Sequence, residues 1–202
     1  MSTHVLRCDG APVPLALSAL SSTQTDAIPD TAEIDELLPV LAAVLTHLMR
    51  TERLHVQIGY VPIDKTYGSH AYQTGTGNAA AKRAIEGRAT EVPLIRDDTG
   101  KVLVGRARIT GPGEEKLEGE AYVDDTQLFS GKVTSMLVSP TLHLPGVRAT
   151  IRKRIRKRRW IDGRAAQLGT PGAVVCRDGI TTERTVPRSS FYRHKEPWLL
   201  VR

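Results

Sequence analysis

The chain has 202 residues, of which 40% are hydrophobic and 25% are charged, and its formal net charge is +6 at pH 7. This composition is typical of a folded globular protein and excludes a disordered or fibrous chain. The longest apolar run, residues 37–45, is far shorter than the roughly 20 residues that span a bilayer, and the amino end lacks the basic start of a secretory leader. We therefore expect a cytoplasmic or otherwise intracellular protein without a transmembrane segment.

The amino-terminal 30 residues predict an extended arm and linker. An Asp-Gly pair separates two short apolar segments, and a small, polar stretch follows them. Asp30 and Glu33 then have the spacing of a capping box, and apolar residues recur at helical intervals from Ile34 to Leu48. This pattern predicts a long helix at the start of the core.

The central region predicts mainly antiparallel strands. Leu54–Tyr60 alternates apolar and polar residues, as a strand with one buried face does. Residues 64–78 predict a surface loop, and Asn78 is the expected cap of a short helix that Gly87 ends. From residue 91 to 138, apolar segments separated by DDTG and GPG turns predict a β-meander.

The carboxyl-terminal region begins with an ambiguous segment. Val147, Ile151 and Ile155 fall four residues apart, so a helix over residues 147–161 would carry one narrow apolar stripe. Farther along, the apolar segments on either side of Asp178 and Gly179 predict a hairpin. The final PWLLVR is expected to tie the terminus to the core.

These elements together predict an α+β fold. We expect an antiparallel β-meander or partly open barrel with one long N-terminal helix, one short helix and a basic segment. The predicted division has an arm and linker at residues 1–30, a core at 31–146, the basic segment at 147–164, and a hairpin and tail at 165–202 packed on the core.

The basic segment is the most unusual feature of the sequence. Seven cations occupy the eight positions from Arg152 to Arg159 with no acid among them, while the rest of the chain is close to neutral. Arginine presents a planar donor fork that suits phosphate oxygens, and aromatic residues can stack on unpaired bases. The predicted nucleic-acid contacts are Arg148, Arg152, Lys153, Arg154, Arg156, Lys157, Arg158, Arg159 and Trp160, with a second set at Tyr67, His70, Tyr72, Arg193 and Lys195.

The functional prediction follows from this segment. We expect a non-enzymatic protein of nucleic-acid binding or assembly that contacts the phosphate backbone of DNA or RNA. One alternative is a structural subunit of a viral, phage or other nucleoprotein assembly, whose basic segment contacts a neighbouring subunit. An acidic protein partner, a homo-oligomer and an anionic membrane are further possible partners of the charge. The last alternative is a hydrolase or nuclease using Ser69, His70 or paired acids.

No cofactor, metal or catalytic residue is predicted. The two cysteines, Cys8 and Cys176, lie far apart, and the six histidines lack close ligand spacing. The glycine-bearing loop of residues 67–78 lacks the Gly-Lys-Ser/Thr ending of a phosphate-binding loop.

Overall fold

The computed structural model describes residues 37–152 and 159–202. In these ranges, three α-helices and fourteen strands form an α+β fold in which most strand pairs are antiparallel. The helices are α1 (Leu37–Arg50), α2 (Tyr67–Tyr72) and α3 (Gly77–Glu86). The strands are β1 (Gln57–Gly59), β2 (Ala89–Val92), β3 (Ile95–Asp97), β4 (Val102–Leu103), β5 (Ala107–Thr110), β6 (Leu117–Val123), β7 (Thr126–Val133), β8 (Ser135–Pro140), β9 (Val147–Arg152), β10 (Ile161–Gly163), β11 (Ala165–Arg177), β12 (Ile180–Thr181), β13 (Val186–Arg193) and β14 (Trp198–Val201).

A small sheet ties the end of the chain to the first helix. β14 lies between β1, to which it is parallel, and β2, to which it is antiparallel. Trp198 and Leu200 of β14 are fully buried and pack in one apolar cluster with Leu41, Leu45 and Leu48 of α1. These leucines recur every three or four residues, so one face of α1 covers the sheet.

A larger, 11-stranded sheet contains most of the strands. Its main path runs β10-β9-β8-β5-β11-β13-β3-β4, with β12 and β6 also paired to β11 and β7 paired to β6. The first half of β11 pairs with β13 and β6, the second half pairs with β5, and the register shifts between Gly169 and Ala173. The two halves of the sheet on either side of this shift both contribute to a second core, which includes Phe191 and Ile109.

The predicted α+β class is confirmed, but the predicted strand order is not. In the described residues the pairings do not close into a barrel, because β10 and β4 end the main path. Of the predicted meander, the hairpins β3/β4 and β6/β7 are present, but β5 pairs with β8 and β11 rather than with its neighbours in sequence. Turn residues identify where strands end but carry no information on which distant strand completes the hydrogen bonds. The predicted arm and the predicted helix start at Asp30 lie outside the described residues.

Two details of the predicted helices are also corrected. The predicted loop at residues 64–78 contains α2, because Thr66 accepts the backbone N–H of Ser69 while the Ser69 hydroxyl accepts that of Thr66. The cap of α3 is Thr76, and Asn78 lies inside the first turn. Gly87 follows the last helical residue as predicted, and its N–H bonds the carbonyl of Arg83.

The ends of the basic segment are strands and not parts of one helix. Val147 and Ala149 face the core and Ile151 packs against it, which is the alternation of a strand. Residues spaced four apart share a face both in a helix and in a strand, so this spacing alone does not distinguish the two. Residues 153–158, which contain five of the predicted contacts, lie outside the described ranges. Within those ranges, no helix has the length and apolar character needed to cross a bilayer.

Candidate functional site

The carboxylate of Asp178 lies at the centre of the candidate site. Asp178 follows the end of β11 in a left-handed turn conformation, with φ of 46°. Its Oδ1 accepts the backbone N–H groups of Gly105 (2.8 Å) and Arg106 (2.9 Å), and its Oδ2 accepts that of Val104 (3.0 Å). Three consecutive amides between β4 and β5 are therefore held by one side chain from a distant hairpin.

Burial dominates the electrostatics of this carboxylate. Only 5% of Asp178 is exposed, and desolvation raises its pKa from 3.8 to about 6. The three amide donors and the nearby charge of Arg177 oppose this change without cancelling it. Asp178 is therefore an acid with a raised pKa of about 6, and both of its oxygens are already engaged by the backbone.

Half-buried Arg106 and exposed Tyr67 form the outer side of the site. The guanidinium carbon of Arg106 lies 3.7 Å from the centre of the Tyr67 ring, and 52% of Tyr67 is exposed. The stacking fixes the plane of the guanidinium group. Gly105 allows the approach, because a Cβ at this position would lie 2.9 Å from Oδ1 of Asp178 and 3.2 Å from Cβ of Tyr67.

Helix α2 is held in place by buried hydroxyl groups. The Tyr60 hydroxyl lies 2.9 Å from Oγ1 of Thr66, which caps the helix. Burial raises the pKa of Tyr60 to about 12, and it also raises that of Tyr72 well above the ordinary value. Tyr72 packs edge-on against Trp198, with 5.3 Å between the ring centres. The helix that presents Tyr67 is therefore anchored on the small sheet.

A second buried carboxylate stands next to the first. Asp97 is fully buried and forms an ion pair with Arg177, the residue before Asp178. Its Oδ1 accepts the N–H groups of Thr99 and Lys101 and the Thr99 hydroxyl, at 2.7 to 2.9 Å. These bonds close the turn between β3 and β4, so this carboxylate holds the other end of β4.

A shallow groove lies elsewhere, on the outer face of the large sheet. It has a volume of about 240 Å³, and Arg108, Cys176 and Thr181 lie side by side across β5, β11 and β12. Arg108 Nη1 lies 3.1 Å from Oε1 of Glu114, and both side chains are substantially exposed. Exposed pairs of this kind contribute little to stability, and the groove provides no buried acid or base.

The structure brings only some of the predicted contact residues together. The Arg148 guanidinium lies 4.7 Å from the centre of the Trp160 ring. Arg152 ends strand β9, and Arg159 precedes strand β10 by two residues. Lys153, Arg154, Arg156, Lys157 and Arg158 lie outside the described residues.

The second predicted set is divided between two elements. Tyr67, exposed His70 and buried Tyr72 share helix α2, and Tyr67 alone contributes to the site described above. Arg193 donates to the carbonyl of Pro145 at 3.2 Å, and Lys195 pairs with adjacent Glu196.

Sequence reasoning missed Arg106 and Asp178 as partners. The Asp-Gly pair correctly predicted a turn, but the contact between the two residues spans 72 positions along the chain. No local spacing signals such a contact.

In residues 37–152 and 159–202, no three His, Cys, Asp or Glu side chains cluster as a metal site would.

Comparison with solved structures identifies proteins of similar fold. A putative diacylglycerol kinase from Bacillus anthracis str. Sterne has a TM-score of 0.58 and 9% identity, over 80% of this chain and 73% of that chain. Another from the same strain has a TM-score of 0.54 and 8% identity, over 70% and 68% of the two chains. A third, named as a diacylglycerol kinase, has a TM-score of 0.51 and 10% identity, over 67% of this chain and 62% of its own.

These similarities concern the fold. This chain spans between 62% and 73% of the three structures' lengths. No family model matches the sequence, and no curated protein matches it.

The comparison overturns the function predicted from the basic segment. The chains that share this fold are named as kinases, and kinases are enzymes that transfer phosphoryl groups. The prediction of a non-enzymatic nucleic-acid-binding or assembly protein is therefore wrong, and so are nucleic acid as the partner and the viral or nucleoprotein alternative. The inference failed because a local cluster of cations indicates an anionic partner without identifying which one.

Proposed function

We propose that this chain acts in phosphoryl transfer from a nucleotide to the hydroxyl group of a small molecule, with a lipid alcohol of the diacylglycerol type as the substrate class. The observation that carries the proposal is the fold shared with one structure named as a diacylglycerol kinase and two named as putative diacylglycerol kinases, with a TM-score of up to 0.58 over 80% of the chain.

The Arg106 site supports this proposal because of the demands of the reaction. Phosphoryl transfer depends on positioning and on stabilising the charge that develops on the phosphate oxygens, with little covalent chemistry by the protein. The Arg106 guanidinium stacks on the Tyr67 ring, and the backbone N–H of Arg106 donates to Asp178, so both the side chain and the backbone of this residue are positioned as the reaction demands. In this proposal Arg106 contacts a phosphate group.

Asp178 acts in this site as a positioning residue. Its two oxygens accept three amides, and only 5% of the residue is exposed, so it does not reach a substrate. Its role is to fix the backbone of residues 104–106 and thereby the direction of the Arg106 side chain.

The test is transfer of labelled γ-phosphate from magnesium ATP to diacylglycerol in non-ionic detergent micelles. We expect the wild-type chain to form the phosphorylated lipid, and Arg106→Gln to lower kcat/KM by about 10- to 100-fold, the loss of one charged hydrogen bond to phosphate. Arg106→Lys should recover part of the rate, because it retains the charge without the planar fork.

The matched control is Arg188→Gln, which removes an exposed cation from β13. We expect this variant to transfer phosphate at the wild-type rate. The proposal fails if the wild-type chain forms no phosphorylated lipid, or if Arg188→Gln is as slow as Arg106→Gln while circular dichroism shows both to be folded.

A further inference from the structure

The ends of the basic segment are fixed on the edge of the large sheet. The carbonyl of Arg152 accepts the N–H of Thr134 at 3.1 Å, and the carbonyl of Arg159 accepts the Thr150 hydroxyl at 2.7 Å. Beyond them, Ile161 pairs with Ala149 in an antiparallel register. Arg152 and Arg159 are therefore both held at the same end of the sheet.

This end of the sheet is strongly positive. Arg152 and Arg159 are exposed, and neither forms an ion pair with a carboxylate of the described residues. By sequence, the six residues between them add five more cations, and no acid occurs from residue 147 to 161. A charge of this density attracts anionic surfaces, and the attraction extends over about 10 Å at ordinary salt.

An aromatic residue stands beside these cations. Trp160 is half-buried, and the Arg148 guanidinium stacks on its ring at 4.7 Å from the centre. Tryptophan next to arginine is the combination that favours the interface between lipid headgroups and acyl chains, because the indole is apolar with one polar edge. The Arg148–Trp160 pair distinguishes this surface from a charged surface that serves solubility alone.

We propose that this basic end of the sheet, defined by Arg148, Arg152, Arg159 and Trp160, contacts an anionic membrane surface. The proposal rests on the proposed function, because a lipid with two acyl chains resides in a membrane and the protein must reach it there. Each cation near an anionic bilayer strengthens binding several-fold, so the charges of the segment together hold the chain at the surface.

The experiment measures binding to vesicles of phosphatidylcholine alone and of phosphatidylcholine with about one third phosphatidylserine. We expect binding to the anionic vesicles only, with loss of binding at high salt. Arg152→Gln combined with Arg159→Gln should weaken that binding by about 20- to 30-fold. Arg184→Gln combined with Arg188→Gln removes the same charge from another exposed region and should leave binding within about 3-fold of wild type.

Tryptophan fluorescence locates the contact. The chain has two tryptophans, and Trp198 is fully buried in the small sheet. We expect anionic vesicles to shift the emission to shorter wavelengths in the wild type and not in Trp160→Phe, which retains Trp198.

Equal binding to both vesicle types, or equal loss in the two double variants, would overturn the membrane contact.

Transfer in non-ionic micelles separates the two proposals. We expect Arg152→Gln/Arg159→Gln to retain the wild-type rate there, because micelles present no anionic surface. Transfer in micelles without binding to anionic vesicles would support the kinase function and contradict the membrane contact. Binding to anionic vesicles without transfer would support the membrane contact and contradict the kinase function.

Discussion

At the residue scale, Asp178 shows how a locally correct prediction can miss a distant role. The Asp-Gly pair ends β11 and begins the hairpin to β12, as its sequence predicts. The same carboxylate also accepts three amides from residues 104–106, and this depends on which strands pair in three dimensions. The sequence therefore predicts the turn but not the buried acid that the turn carries.

Asp178 is expected to make stability depend on pH in a particular direction. Because its pKa is about 6 in the folded state and 3.8 in its unperturbed form, the folded protein binds more protons between these values. The stabilisation is complete below about pH 4 and is lost as the pH rises through 6, a change of ~3 kcal/mol at most. In Asp178→Asn, which keeps the left-handed turn accessible, this contribution is absent.

Urea unfolding at pH 4 to 7 checks this expectation. The stability of the wild type minus that of Asp178→Asn should decrease from pH 4 to about 6 and then level off, whereas Asp125→Asn, at an exposed turn, should follow the wild type. A difference that rises with pH would contradict the raised pKa.

At the scale of elements, the sequence predicted most strands but failed where two periods coincide. Val147 and Ile151 are spaced for a helix, and small Ala149 between them concealed the alternation that buries one face of β9. The opposite failure occurred at α2, where six helical residues between polar neighbours are too short for a periodic signal. The pairing of β11 with strands of both sheet halves has no local signature.

The contact between β6 and β11 predicts a matched pair of glycine variants. Gly119 has φ of 154°, and a Cβ there would lie 2.2 Å from the carbonyl oxygen of Gly169 on β11. A Cβ on Gly169 itself would meet nothing within 4 Å. We expect Gly119→Ala to destabilise the fold by about 2–3 kcal/mol, and Gly169→Ala to change stability by less than about 1 kcal/mol.

Urea midpoints of the two variants measure this difference. If the strands are as close as the structure has them, the midpoint of Gly119→Ala falls well below that of Gly169→Ala. Equal midpoints would show that β6 and β11 can separate without cost.

At the scale of the whole molecule, two cores depend on the same short strands. Leu94, Val102 and Val104 belong to the core beneath α1, whereas Ile95 and Leu103 belong to the core of the large sheet. Neighbouring side chains along an extended chain point in opposite directions, so each segment contributes to both cores. Neither core can lose these strands without exposing the other.

The two cores should therefore unfold in one transition. Phe191→Leu removes volume from the large core and should lower stability by about 1–2 kcal/mol. The readout is the fluorescence of Trp198, which lies in the other core, measured in a Trp160→Phe background. We expect its urea midpoint to fall together with that of far-ultraviolet circular dichroism, because shared strands couple the cores. If Phe191→Leu left the urea midpoint of Trp198 fluorescence unchanged, the small sheet and α1 would unfold independently of the large sheet. In that case β3 and β4 would not couple the Arg106 site to the large sheet.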